Sequence, residues 1–192
     1  MAAGGKSLGE ERLAVGLVGG KRVIVAQVVA EFAGRIETSY KIGPDTTTVA
    51  VKLPFGLLQL SGTLVGGKLS VMGTDGKGKP VALSAPLPAG AFLAGPGIGG
   101  SIMLAEKLAG MKVGDKRVLA SLEIRYFPAT EVVAASYDVE RKPDVNGHQV
   151  FAVTTKLGRD VTTGELVLDG DGFVVAQKLN APFELQLTRR PQ

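Results

Sequence analysis

Short runs in which apolar and polar residues alternate, broken by paired glycines or by Asp-Gly and Asn-Gly, recur along most of this chain. A period of two marks a strand with one face buried, and two-residue glycine turns mark hairpins. Leu13–Val18, Gly19-Gly20 and Lys21–Phe32 read as one hairpin; Leu57–Val65, Gly66-Gly67 and Lys68–Gly73 read as another. Arg35–Ile42 and Thr46–Leu53 lie between them, separated by the turn residues Gly43-Pro44-Asp45. In Lys116–Phe127, Val118, Ala120, Leu122, Ile124 and Tyr126 share the face expected to point inward, with Ser121, Glu123 and Arg125 on the wet one. Later turns fall at Asn146-Gly147 and Asp169-Gly170-Asp171-Gly172. The pattern predicts a mainly β fold: a strongly curved antiparallel sheet, a half-barrel or incomplete barrel, with one short buried helix.

That helix is expected over Ile102–Ala109, with Ser101 as its N-cap and Gly110 ending it in a left-handed conformation. Pro86–Gly100 before it holds three prolines and five glycines, and is expected to fold over the rim of the concave side as a lid. Phe92, Leu93, Ile98, Ile102, Met103, Leu104 and Leu108 cluster here, more apolar side chains than one face of so short a helix can bury. Two readings follow. The helix plugs the sheet as core, or it lines an apolar cavity in which Phe92, Leu93, Ile98, Ile102, Met103 and Leu108 bind a ligand.

Catalytic chemistry finds little to work with. The chain has no Cys, which excludes disulfides, zinc-thiolate sites and thiol catalysis. His148 is the single His, so no pair of His ligands exists within one chain, and no Ser sits in a Gly-x-Ser-x-Gly elbow. Asp169-Gly-Asp-Gly172 reads as a hairpin turn rather than a calcium loop, since Phe173-Val174-Val175 follow where further oxygen ligands are needed. Asp138 and Glu140 share a strand face, but the wet one. Gly95–Gly100 lacks the Lys and the preceding strand of a phosphate loop. No catalytic residue, metal or cofactor is expected.

With 192 residues the chain reads as one domain with short flexible arms at 1–6 and 189–192. Its net charge of +4 comes from scattered groups, Arg141-Lys142 among the few pairs, and Trp is absent, so neither the basic stripe nor the stacking platform of a nucleic-acid binder is expected. No run of 18 apolar residues predicts a transmembrane segment. Met1–Lys6 lacks the apolar stretch of a signal peptide, which implies a cytoplasmic protein if Met1 is the native start.

Two stretches carry a resemblance. Gly5-Lys6-Ser7-Leu8-Gly9-Glu10-Glu11, and Gly164 through Val175 with its strand, Asp-Gly-Asp-Gly, strand pattern, resemble the two ends of a group of uncharacterised bacterial envelope domains. Such domains occur alone or ahead of transglutaminase-like domains. The resemblance implies a half-barrel similar to periplasmic lipoprotein carriers, a periplasmic or cell-envelope location, and no functional residue to carry over. The leading expectation is a non-enzymatic half-barrel that binds a hydrophobic small molecule or lipid on its concave side. The alternative is a structural or accessory module with a dry core, in or beside a larger envelope protein.

Overall fold

The structure is a computed structural model, which describes residues 2–3, 6–7, 9–31, 35–53, 56–94, 97–125, 129–180 and 185–188. Two short strands, β1 (Ala2–Ala3) and β2 (Lys6–Ser7), precede a seven-strand run: β3 (Gly9–Val18), β4 (Lys21–Glu31), β5 (Arg35–Ile42), β6 (Thr46–Leu53), β7 (Gly56–Val65), β8 (Lys68–Thr74) and β9 (Pro80–Pro86). The chain then passes through β10 (Phe92–Leu93) and the helix α1 (Gly97–Leu108). A second run follows: β11 (Lys116–Arg125), β12 (Glu131–Val145), β13 (His148–Leu157), β14 (Asp160–Leu168), β15 (Val174–Leu179) and β16 (Leu185–Thr188).

The fold is mainly β with one short helix, and its strands divide between two open sheets rather than one. The first is the antiparallel meander β3 to β9 in chain order. The second runs β10-β11-β12-β13-β14-β15-β16-β1-β2, antiparallel except that β10 lies parallel to β11. Ala2–Ala3, in the segment expected as a loose arm, thus pairs beside β16, while residues 189–192 lie outside the described residues.

The hairpins close as their glycines require. Gly19 and Gly20 have φ of 57° and 75°, and Gly66 and Gly67 have 58° and 73°, the paired positive values of a turn whose twist matches the strands it joins. Asn146-Gly147 does the same at 51° and 78°. One hairpin turn, Gly158-Arg159 between β13 and β14, escaped the sequence reading; Gly158 at φ 61° was its signal.

One apolar cluster joins the layers. Ile24, Ile42, Val51 and Leu69 enter from the first sheet, and Leu122, Val139, Phe151 and Leu166 from the second. Gly62 on β7 makes room for the contact: a Cβ there would lie 2.8 Å from Thr47 Cγ2 and 3.4 Å from Ile124 Cδ1 of the other sheet. The helix, in contact with β15 of one sheet and with β3 and β4 of the other, is buried as expected. It begins earlier than expected, at Gly97, so Ser101 lies inside it and donates its hydroxyl to Gln177 Oε1 at 2.6 Å. Gly110, at φ 78°, follows its end.

The Pro86–Gly100 segment is anchored rather than draped over a rim. Leu87 N–H donates to Gly67 at 2.7 Å, β10 pairs with β11, and Ala94 N–H donates to Leu122 at 3.0 Å; Gly95 and Pro96 lie outside the described residues. This docking covers β11 on both sides, so Ser121 and Leu122, neighbours on opposite faces, are both fully buried. The expected division of that strand therefore fails: Ser121 is inside, whereas Val118, expected inward, is 73% exposed. Tyr126 lies outside the described residues. Arg141, counted in sequence as part of a basic surface pair, is also buried, over the Phe151 ring at 5.0 Å and bonded to Asp144.

Gly164, in the middle of β14, tests how tightly the second sheet is laid. A Cβ at this position would sit 2.0 Å from the Lys178 carbonyl oxygen on β15, a backbone atom that cannot swing aside. Gly164→Ala is expected to cost about 1–3 kcal/mol, a fall in Tm of roughly 3–10 °C for a chain of this size. Gly170→Ala, where nothing lies within 4 Å, should melt with the parent. Equal melting temperatures for the two variants would show that β14 and β15 are not so close.

Candidate functional site

The residues expected to line an apolar cavity are packed as core. Phe92, Leu93, Ile102, Met103 and Leu108 are all nearly inaccessible, and all belong to the cluster that joins the two sheets. The side chain of Ile98 lies outside the described residues. β10 places Phe92 against Tyr137 of β12, ring centres 5.7 Å apart and tilted by 34°.

A half-buried polar pair adjoins this aromatic contact. Tyr137 donates its hydroxyl to Glu123 Oε1 on β11 at 2.5 Å. Burial pushes the Glu123 carboxyl above its usual range, against the opposing pull of the Tyr137 and Ser121 hydroxyls. Tyr137 is pushed up too, by burial first and then by the neighbouring carboxylate. Glu123 and Ser121 were assigned to a wet face because the strand alternates; cover by β10 on that side is a tertiary contact with no sequence signal. A second pair of the same kind, Tyr40 donating to Glu11, lies in the first sheet.

The other acids are engaged structurally. Asp138 bridges Lys156 at 2.6 Å and Glu140 bridges Lys142 at 2.7 Å, as a solvated face demands. Asp169 accepts from the N–H groups of Asp171 and Phe173 through one carboxylate oxygen, at 3.0 and 2.8 Å. Asp75 in Asp75-Gly-Lys-Gly-Lys79 makes the same two bonds, to Lys77 at 2.8 Å and Lys79 at 2.9 Å, which hold its carboxyl below the usual range. The Asp-Gly-x-Gly-x unit is thus a turn used once in each sheet. Among the described residues no three His, Asp or Glu side chains gather as a metal site. His148 is half-buried, and its Nδ1 has no partner among the described residues.

Concavity exists elsewhere, on the outward face of the first sheet, as an open depression of about 760 Å³. Its floor follows from register. Arg12, Gln27, Ser39, Ala50 and Gln59 stand side by side on five successive strands, and Ala14, Val25, Lys41 and Thr48 form the next row. Small side chains at the centre leave the hollow, and amides and hydroxyls give it hydrogen-bonding capacity. Lys41 makes no ion pair among the described residues, while Arg12 holds Glu10 at 2.9 Å in solvent. Alternation in β3 to β7 does place these residues outward; that they line up into one hollow depends on pairing register, which alternation alone does not fix.

No family model, curated protein or solved structure matches the chain.

The Glu123 carboxyl makes stability depend on pH. Its folded-state pKa lies above the ordinary 4.5, so the folded protein binds that proton more tightly than the unfolded chain does. The stabilisation is complete below the unfolded value and is lost as pH rises through the folded one. Glu123→Gln keeps an acceptor for Tyr137 without the charge. Its stability relative to the parent is expected to rise with pH when both are unfolded in urea at several values between roughly pH 4 and 8. A difference that stays constant across the series would mean the carboxyl is solvated.

Proposed function

We propose that this chain is a non-enzymatic β module that works by surface contact, with a dry core, as an accessory unit in or beside a larger envelope protein. One observation carries the reading. The side chains that a hydrophobic ligand would need are engaged with one another and with both sheets, while an open depression on the outside of the first sheet presents Arg12, Gln27, Ser39, Lys41, Thr48 and Gln59 beside Ala14, Val25 and Ala50. Such an open surface offers a partner hydrogen bonds and charge beside apolar contact, without the enclosure that an acyl chain needs. The half-buried Tyr137–Glu123 pair supports the same reading, since its hydroxyl and carboxylate satisfy each other inside the layer that positions β10. The envelope setting comes from the resemblance of the chain's two ends, and belongs to this proposal.

A dry core and a ligand cavity differ in how they respond to truncation. Leu108, 1% exposed, is the test position. Leu108→Ala is expected to cost about 2–5 kcal/mol, because the lost contacts leave a void. The parent protein is expected to show a single apo mass by native mass spectrometry and no uptake of a fluorescent fatty-acid probe. A co-purified lipid, or stoichiometric probe binding that Leu108→Ala weakens, would establish lipid carriage in place of surface contact.

A further inference from the structure

The four sheet edges of this molecule are not alike. β10 and β2 are two residues long, and β9 begins and ends with proline, all recognised ways of blunting an edge. β3 has none of these protections. It is ten residues long, pairs with β4 in unbroken register from Gly9 opposite Ala30 to Val18 opposite Lys21, and ends in the uncharged run Ala14-Val15-Gly16-Leu17-Val18. Every residue of that run is exposed, Val15 by 38%, Leu17 by 72% and Val18 by 65%.

The turn decides which backbone groups are free. In a two-residue hairpin of this type the flanking residues, Val18 and Lys21, exchange both hydrogen bonds, and bonded pairs then recur at every second residue. Gly16, Ala14 and Arg12 therefore bond to β4. The N–H and C=O groups of Leu13, Val15 and Leu17 point the other way, out of the sheet.

We propose that β3 pairs antiparallel with β3 of a second copy of this chain, Val15 opposite Val15, joining the two seven-stranded sheets into one. This register uses the free groups of Leu13, Val15 and Leu17 on both copies. It also stacks Leu13 on Leu17 of the second copy on the face that continues the core, covering the exposed Val15 and Leu17. Moving the pairing by two residues would set Glu11 against Leu17 in one direction and take Leu13 off Leu17 onto the Gly19 turn in the other; in the register proposed, Glu11 meets the Gly19 turn instead. Glu10 then comes level with Gly20 of the second copy, next to that chain's Lys21, and no like charges stand opposite each other. The pairing is isologous and closes as a dimer. Both outward depressions then lie on one continuous face, although the pairing does not depend on what they bind.

A single strand edge buries little surface, so the dimer is expected to be a weak one, read by light scattering after size exclusion over about 5–500 µM. The mass should rise with concentration towards twice the 19.8 kDa of the chain. Leu17→Lys, at a side chain already in solvent in the monomer, is expected to raise the dissociation constant at least tenfold without lowering Tm. Because the chain has no Cys, Val15→Cys gives one thiol per copy, close to the dyad; a short bismaleimide should link two copies, and should not link Val161→Cys, which is exposed on the other sheet. A monomer at every concentration with no Val15→Cys linkage overturns the proposal. So does a dimer that Leu17→Lys leaves intact, or one in which Val161→Cys links as readily.

Discussion

The segment from Phe92 to Leu108 holds this molecule together. Neither sheet closes on itself, so each has an inner face that must be covered. β10 and α1 lie where that cover is needed. The two-residue strand joins the edge of β11, and the helix contacts β15 of one sheet and β3 and β4 of the other. A helix with Ile102, Met103, Leu104, Ala105 and Leu108 all buried has no stable existence in water, and it extends the core that the two sheets share. Burial of these side chains stabilises both partners at once.

That arrangement explains the polar groups found inside. When β10 docks, it encloses a part of β11 and β12 that would otherwise face solvent. Ser121, Glu123 and Tyr137 are trapped there, and the Tyr137 hydroxyl gives the Glu123 carboxylate its hydrogen bond. Arg141 is treated likewise, with its guanidinium over Phe151 and bonded to Asp144 and to backbone carbonyl groups, the Val150 oxygen at 3.3 Å. Buried charges are tolerated when they are paired and hydrogen-bonded, and these meet that condition at all but a few atoms, such as Arg141 Nε. The interior is therefore filled with apolar contacts and with polar groups that are mostly paired, Ser121 Oγ being one without a partner among the described residues. On the outside of the first sheet Gln27, Ser39, Thr48 and Gln59 face solvent and keep hydrogen-bonding capacity for a partner.

What the amino-acid sequence determined by itself is the long strands of the two runs, most of their hairpins and the presence of one apolar helix. These are local properties. Paired glycines at 19–20 and 66–67 permit positive φ whatever surrounds them, and Asp75 and Asp169 close their turns with bonds to residues two and four ahead. What only the tertiary structure decided is which surfaces are covered. Val118 and Ser121 obey the alternation of β11, yet Val118 is in solvent and Ser121 is fully buried, because the cover comes from β10 and from the opposite sheet. The division into two sheets, the docking of Phe92 and Leu93, and the hollow formed by five strands in register were settled the same way. Each depends on contacts between residues distant in the chain, and a period of two says only that a strand has faces, not what lies against them.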